Sequence, residues 1–326
     1  MSVLLALWSV YWAGAAYGIK HSLSGWFAAR ENDGWRAEFA EISTSGYPVR
    51  HVTKLKSPAL ADPETGTAWQ ADWIAFASPA VWPGHMTLQF AETPQRLSYF
   101  DQTIALSASD LNADLRLHPG ISLQLETMAL TAGPWRVTGQ AGLEMGATNL
   151  VLAMRQGDRA EAYRFEVEAQ DFAPGPEIRR LLARGERLPD GFESLRLEMT
   201  VLFDRPWDRR ALEDRRPQPA RIDLKRADVQ WGALRLRATG SVTIAAGGIP
   251  EGAVSLRAEN WRDMLILARA VGAIPSAVVA ATETVLNMLS GLGGNPDALD
   301  VTLNFANGTV ALGPFPLGPA PRLILR

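Results

Sequence analysis

The chain has 326 residues, of which 47% are hydrophobic and 21% are charged, and its formal net charge is −3. This length is sufficient for a large core in one or two domains. The nearly balanced charge disfavours a nucleic-acid-binding protein, which needs a concentrated basic surface. No cysteine is present, and this excludes disulfides, thiolate catalysis and cysteine-based metal sites.

The first nineteen residues carry no charged side chain. About 20 apolar residues span a bilayer, and Trp and Tyr favour its two interfaces. We therefore predict an uncleaved transmembrane anchor within residues 1–32. A signal peptide cleaved after 13–15 ("AGA") and a buried core helix are the alternatives. The predicted membrane-anchor residues are Leu4, Leu5, Leu7, Trp8, Val10 and Trp12.

The apolar pattern continues beyond the anchor. Its residues Ile19, Leu23, Trp26 and Phe27 follow the spacing of one helical face, which predicts that the helix runs on as an amphipathic helix. The Asp33-Gly34 pair then ends it. Packing against the rest of the chain is the favoured role of this face, and contact with the membrane surface or with the end of a β-structure is the alternative.

Strands dominate from residue 35 to about residue 260. Alternation of apolar and polar residues predicts half-buried strands, and one-sided strands of this kind are typical of antiparallel sheets. The predicted fold is mainly β with minor α: an extended, curved antiparallel sheet built of hairpins, within a domain over residues 33–326. The clearest strands are "ISLQLE" (121–126), "YRFEVEA" (163–169), "SLRLEMTVLF" (194–203) and "LRLRATGSVTI" (234–244).

One hairpin can be aligned residue by residue. Asn307-Gly308 favours a type I′ turn, because both positions of that turn need a positive φ. This turn pairs Ala306 with Thr309 and Leu303 with Leu312, which places the apolar residues on one face. A weak internal repeat, 128–143 against 227–242, suggests a sheet grown from repeated hairpins.

Helices are predicted in two further places. A short one covers 176–185 ("PEIRRLLARG"), and a helical hairpin covers 260–291, with Asn260 as a cap and Pro275 opening its second helix. The charged stretch 204–220 is predicted to be a solvated loop. Contact of its arginines with an acidic partner or anionic lipid is the less favoured alternative.

The sequence gives little sign of catalysis. The four histidines lack the local spacing of a zinc site, and the glycines at 291–294 lack the dinucleotide-binding pattern. Glu166 and Glu168 share one strand face, as residues on a solvated face do. We predict no catalytic residue, no cofactor and no metal site, and we expect that the protein is not an enzyme. A hydrolase is the least favoured function.

The segment 45–50 ("SGYPVR") combines a glycine, a proline and potential binding groups. Gly46 permits a turn, and Pro48 restricts Tyr47 to an extended conformation as the strand begins. The favoured interpretation is a structural turn with Tyr47 packed on the core and His51 on the strand surface. The alternative is a binding role for Tyr47, Arg50 or His51. The selected turn residues are Gly46, Tyr47, Pro48 and Arg50.

Segments 41–50 ("EISTSGYPVR") and 303–323 ("LNFANGTVALGPFPLGPAPRL"), together with the apolar N-terminus, resemble the proteobacterial family called domain of unknown function 2125. The resemblance covers nearly the whole chain and implies an envelope location. It supplies no catalytic residues. The architecture is also distantly similar to that of AsmA-like envelope proteins, which have an N-terminal anchor and long β-structures and are linked to lipid transport. That second likeness is an analogy, and a fold does not fix a function.

Two functions follow as hypotheses. The first is an inner-membrane, single-pass protein whose bulk lies in the periplasm and binds a lipid or other apolar ligand in its curved sheet. The second is a structural or scaffolding envelope protein that recruits a protein partner, for example through an exposed sheet edge. The partners expected are the membrane through the N-terminal helix, and either an apolar ligand or an envelope protein, but no nucleic acid.

Overall fold

The computed structural model confirms a mainly β protein with one long N-terminal helix and large antiparallel sheets. The chain divides into two compact units. Unit 1 comprises Met1–Pro119 and Glu126–Glu144, and unit 2 comprises Gly120–Leu125 and Met145–Arg326. The structure describes residues 2–82, 84–140, 142–175, 189, 191–213, 215–262, 297–312 and 315–325.

The N-terminal helix, α1, runs without a break over Ser2–Asn32. It ends where predicted, because Gly34 takes a positive φ of 88° and the Trp35 N–H turns back to donate to the Arg30 carbonyl over 3.0 Å. Phe27 is buried, and Leu23 packs beside it in the core of unit 1. Trp26 was predicted on the same face, but it is exposed, because it lies at the margin of the stripe. Of this face, Leu23 and Phe27 pack against the rest of unit 1.

Unit 1 contains two antiparallel sheets. One sheet has the strand order β1-β4-β5-β8-β9-β12-β13, and the other contains β2-β3-β6-β7-β10-β11 within this unit. The strands are β1 Arg36–Glu38, β2 Glu41–Ser45, β3 Arg50–Lys56, β4 Ala59–Asp62, β5 Thr67–Gln70, β6 Trp73–Pro79, β7 His85–Phe90, β8 Gln95–Tyr99, β9 Gln102–Ala108, β10 Asn112–Leu117, β11 Leu125–Ala132, β12 Trp135–Gly139 and β13 Gly142–Ala147.

The apolar faces of these two sheets and the C-terminal half of α1 share one core. Leu55 of β3 and Ile74 of β6 come from one sheet, Leu60 and Trp69 come from the other, and Phe27 comes from the helix. Each group therefore covers the apolar surface of the others, which is the arrangement that a two-layer domain needs.

Unit 2 contains a series of antiparallel strands in which each strand pairs with the next in the chain. Three predicted strands are confirmed here, as β15, β16 and β18. The strands are β14 Asn149–Gln156, β15 Ala162–Phe172, β16 Phe192–Phe203, β17 Pro219–Trp231, β18 Leu234–Ala245, β19 Ile249–Glu259, β20 Ala298–Ala306, β21 Thr309–Leu312 and β22 Phe315–Pro319.

The predicted strand over 121–126 is wrong in its first four residues. Strand β11 begins only at Leu125, and Leu123 has a positive φ of 49°. Ile121 is exposed instead of half-buried. The segment 121–126 has only three alternating apolar residues, and a pattern this short does not distinguish a strand from a loop.

The Asn307-Gly308 hairpin is confirmed in its register. Ala306 faces Thr309 and Leu303 faces Leu312, and both turn residues have the positive φ that the turn requires. The strand after it, β22, contains Pro316 and Pro319 and stands last in the strand order, where prolines are tolerated.

The two segments of the suggested repeat differ in their pairing. Within 227–242, β17 and β18 pair as a hairpin. Within 128–143, β11 and β12 belong to different sheets.

The short predicted helix 176–185 lies outside the described residues, and so does most of the predicted helical hairpin 260–291. The described residues around it are Asn260, whose backbone N–H donates to Asp297, and Trp261, which is buried against Ala258 and Leu299. The stretch 204–220 is mainly a loop with a four-residue helix, α2, at Arg210–Glu213.

Candidate membrane-contact site and apolar sheet face

The turn between β2 and β3 needs its glycine. Gly46 has a φ of 99°, and a Cβ atom there would lie 2.8 Å from both the carbonyl oxygen and the Cγ atom of Arg50. The Arg50 N–H donates to the Gly46 carbonyl over 3.1 Å, which closes the turn. The Tyr47–Pro48 peptide bond within it is cis.

This turn receives the side of α1. Trp8 Nε1 donates to the Pro48 carbonyl over 3.0 Å, and Trp12 Nε1 donates to the Arg50 carbonyl over 3.0 Å. The two tryptophans are four residues apart, so they lie on one helical face. The structure therefore brings two predicted anchor residues together with the predicted turn.

Two further bonds extend this contact. The Ser9 and Tyr47 hydroxyls lie 2.8 Å apart, and the Tyr11 hydroxyl donates to the Ala80 carbonyl over 2.9 Å, just beyond β6. Sequence reasoning missed Ser9 and Ala80, and it considered Tyr11 only as an aromatic residue suited to a membrane interface. The available signal was the helical stripe itself, because steps of three and four residues lead back from Phe27 to this face.

Two expectations about side chains of this region are corrected. His51 is not on the strand surface: it is 3% exposed, its ring stacks on Trp12 with centroids 4.8 Å apart, and its Nε2 lies 3.2 Å from the Trp12 carbonyl. Tyr47 is not packed on the core. It is half exposed, and it meets the edge of the Trp12 ring. Both differences arise because α1 supplies the surface on which these rings pack.

The remaining predicted anchor residues are exposed. The side chains of Leu4, Leu5, Leu7 and Val10 are between 59% and 72% exposed. Helix α1 is long and apolar enough to cross a membrane, and a signal sequence would satisfy the same criterion. The helix is thus compatible with a single-pass anchor or a signal sequence, and it presents a bare apolar side.

Unit 2 gathers apolar side chains on one face of its strands. The pairing aligns them in rows that cross from strand to strand. Two central rows are made mostly of half-buried side chains, and we call them the floor. The floor consists of Phe165, Val167, Leu197, Met199, Leu224, Ala227, Ala238, Gly240, Val254, Leu256, Val301 and Leu303, of which Ala238 is buried.

Parts of the rows on either side of the floor are more deeply buried, while Leu195, Ile222, Val229 and Leu236 in these rows are half-buried. Towards one side, Tyr163 is fully buried, and Val201 and Val242 are nearly so. Towards the other side, Leu299 and Ala258 are buried beneath Trp261. The floor therefore lies between two covered margins. It crosses six strands, β15 to β20, which corresponds to about 24 Å at the usual strand spacing.

The opposite face of the same strands is charged and ion-paired. Glu168 meets Arg196 over 3.1 Å, and Asp228 meets Arg235 over 3.0 Å. The hydrogen bond from Arg235 holds the pKa of Asp228 below its usual value. Glu166 is exposed, as predicted for a solvated face. This face is adapted to water, and the floor is not.

Unit 1 also has an open, mainly apolar depression of about 440 Å³. This volume falls within the range of about 300–1,000 Å³ that is common for small-molecule sites. Its lining combines apolar side chains with a few hydroxyl and amide groups, and includes Trp35, Leu60, Trp69, Leu97, Tyr99 and Ile104.

Comparison with protein families matches residues 12–321 to the family described as an uncharacterized protein conserved in bacteria, DUF2125. The chain belongs to this family. The match includes both the Gly46–Arg50 turn and the Asn307-Gly308 hairpin, so the DUF2125 region spans both units. No curated protein matches the chain.

In the described part of the DUF2125 chain, metal and acid–base chemistry would depend on the placement of the titratable side chains. Among the described residues, no group of three or more His, Asp or Glu side chains is placed to hold a metal ion. Burial raises the pKa of Tyr163, whose hydroxyl bonds the backbone of Leu125 and Trp207. That tyrosine closes one margin of the floor and therefore has a structural use. What the described residues offer is apolar surface on the floor of unit 2 and, in unit 1, a helix that is compatible with a membrane anchor or a signal sequence.

Proposed function

We propose that this protein is a membrane-anchored periplasmic protein that binds a lipid or another apolar ligand of acyl-chain type on the floor of unit 2. The observation that carries this proposal is the contrast between the two faces of one set of strands. One face is ion-paired, and the other presents rows of aliphatic side chains that are only half-buried.

Such a surface favours an apolar occupant. Each square ångström of apolar surface removed from water stabilises the bound state by about 25 cal/mol. An acyl chain is flexible and apolar, and it can follow the rows between the two covered margins. The floor has no charged member, so a ligand part lying on it meets only methyl, methylene, thioether and aromatic groups.

The membrane location is supported by α1, whose apolar side chains at Leu4, Leu5, Leu7 and Val10 are exposed. Contact with a bilayer would remove this surface from water. The periplasmic side and the inner membrane are proposed from the resemblance to envelope proteins.

Recruitment of a protein by strand addition is the less favoured function. The terminal strand β22 contains Pro316 and Pro319, which lack the N–H donors that an added strand would use. The scaffolding hypothesis therefore has less support from this edge than the ligand hypothesis has from the floor.

The test is native mass spectrometry of the full-length protein purified in detergent. The full chain is needed because removal of residues 1–30 would also remove Phe27 from the core of unit 1. The test variant is the double substitution Leu197→Gln and Met199→Gln on the floor. The control is Glu198→Gln and Thr200→Gln, on the opposite face of the same strand, β16.

We expect lipid bound to the wild type and to the control, and less lipid bound to the floor variant at an unchanged fold. Equal lipid on all three proteins, or none on the wild type, would contradict the proposal. A control that loses as much lipid as the floor variant would contradict it as well.

A further inference from the structure

We propose that one end of unit 1 enters the lipid bilayer together with α1. This end, called the tip, consists of two neighbouring turns, Tyr47–Val49 and Ala80–Trp82. The proposal rests on the membrane anchoring in the proposed function and adds to it a defined depth and orientation of unit 1. It is independent of any ligand on the floor.

The first argument is the level at which α1 meets the tip. Trp8 bonds the Pro48 carbonyl, and Tyr11 bonds the Ala80 carbonyl. The uncharged part of α1 runs from residue 2 to residue 19. Residues 8–12 lie in its middle, about 12 Å or more from Lys20 along the axis at about 1.5 Å per residue. A bilayer that surrounds the uncharged segment of α1 therefore also surrounds the tip, which lies at the level of residues 8–12.

The second argument is the surface of the tip. Its exposed side chains are Tyr47, Val49, Val81 and Trp82, and the two valines are about 70% exposed. The same turns bond Trp8, Ser9 and Tyr11 of α1, and the neighbouring residues Leu7 and Val10 of the helix are exposed too. A run of large exposed apolar residues is unusual on a surface that faces only water. Tyr and Trp are also the side chains enriched where protein meets lipid headgroups.

The third argument is the hydrogen bonding of the tip backbone. In lipid, every backbone polar group needs a partner within the protein. The Ala80 N–H donates to the Val49 carbonyl over 3.0 Å, which joins the two turns. Three further carbonyls of this end, those of Pro48, Arg50 and Ala80, accept from the side chains of Trp8, Trp12 and Tyr11. The aromatic groups of α1 thus satisfy carbonyls that would otherwise depend on water.

Charged and polar groups begin just behind the tip. Arg50 and His85 contribute to the lining of a shallow depression of about 320 Å³ that starts at Val49. His85 also bonds Asp114 over 2.9 Å. An exposed arginine behind an apolar end can extend its guanidinium to the headgroups while its stem stays in lipid. The order of apolar tip, aromatic groups and then charge follows the order of layers in a membrane surface.

The absence of cysteine from the sequence makes a direct test simple. Single cysteines replace Leu7, Val49, Val81 or Phe100 in the full-length protein, and each is labelled with an environment-sensitive fluorophore. The protein is reconstituted into phosphatidylcholine vesicles with and without lipids that carry a quencher in the acyl chain. Phe100 is the matched control, because it is an exposed apolar residue in another turn of unit 1.

We expect the labels at 7, 49 and 81 to emit at shorter wavelength and to be quenched by the lipid-borne quencher, while the label at 100 is not. If the label at 7 is quenched and those at 49 and 81 behave like the label at 100, the tip proposal is wrong and the anchor stands. If no label is quenched, the anchoring is wrong as well.

Discussion

The two units cover their apolar surface to different extents. In unit 1, the faces of two sheets and one side of α1 share a core, and Leu55 and Ile74 are almost inaccessible. In unit 2, the central rows of the floor stay half-buried between covered margins. The same alternation of apolar and polar residues builds both, so the pattern that forms a strand does not decide what will cover it. Whether a sheet, a helix or a ligand covers an apolar face is determined separately from the pattern that forms its strands.

The largest effect is expected from truncating a buried leucine of unit 1. The truncation of a half-buried leucine of the floor is its comparison. Leu55→Ala in unit 1 should destabilise the protein by about 3 kcal/mol, because it leaves a cavity in a closed core. Leu197→Ala on the floor should cost about 1 kcal/mol, since less surface is covered there and no closed cavity forms. Chemical unfolding of the delipidated protein, followed by hydrogen exchange on peptides from each unit, measures both. Equal costs would show that the floor is as closed as the core of unit 1.

A second prediction concerns the covered margin of the floor. Tyr163→Phe leaves the Leu125 carbonyl and the Trp207 N–H without their shared hydroxyl partner. Loss of a buried hydrogen bond of this kind costs about 1–3 kcal/mol. The thermal unfolding temperature of the variant should fall accordingly, whereas Tyr99→Phe, at an exposed ring in unit 1, should leave it unchanged. An unchanged temperature for Tyr163→Phe would mean that the margin is less tightly closed than its burial indicates.

A third prediction compares two glycines of unit 1. Gly46→Ala should destabilise the turn by about 1–3 kcal/mol, because alanine is strained at this positive φ and its Cβ meets Arg50. Gly14→Ala in the middle of α1 should stabilise by about 0.5–1 kcal/mol, since a Cβ there has open space and glycine is unfavourable inside a helix. Protease protection of residues 1–32 reports both changes. Opposite signs are expected, and two destabilising results would be inconsistent with an open side of α1 at Gly14.

The smallest effect is expected on the charged face of unit 2. The Arg235 hydrogen bond lowers the pKa of Asp228 in the folded state, so this pair stabilises the fold above the unfolded pKa of about 3.9. That contribution is lost as the pH falls through the lowered folded value. Asp228→Asn should therefore lower the free energy of unfolding at pH 7 by about 1 kcal/mol. The variant should accordingly unfold at a lower temperature than the wild type. The difference in unfolding temperature between the wild type and the variant should become smaller below about pH 4. A difference that stays constant with pH would contradict a stabilising role of the Asp228–Arg235 pair.

Local features were predictable where a few neighbouring residues decide them. The Asn307-Gly308 turn needs positive φ at two adjacent positions, and its register followed from that requirement alone. Strand β16 was predictable because its alternation continues over ten residues. Residues 121–124 were mistaken for strand because their alternation is short and Leu123 takes a left-handed conformation.

Contacts between distant segments were not predictable in the same way. The sequence marked Trp8, Trp12 and the Gly46–Arg50 turn separately, but nothing local shows that indole N–H groups will reach carbonyls about 40 residues away. The division into two units was hidden for the same reason, since it depends on which strands pair across long separations. The floor was partly foreseen, because one-sided strands were recognised, although their alignment into rows needed the register.

The central claim is that the floor of unit 2 faces an apolar ligand and the opposite face meets water. A photoreactive amino acid placed at Leu197 or at Glu198 tests it most directly, since these neighbours lie on opposite faces of β16. After irradiation of intact cells, mass spectrometry of the purified protein should find a lipid adduct at position 197 and none at position 198. An adduct at 197 with this chain itself or with another protein, or equal lipid adducts at both positions, would contradict the account.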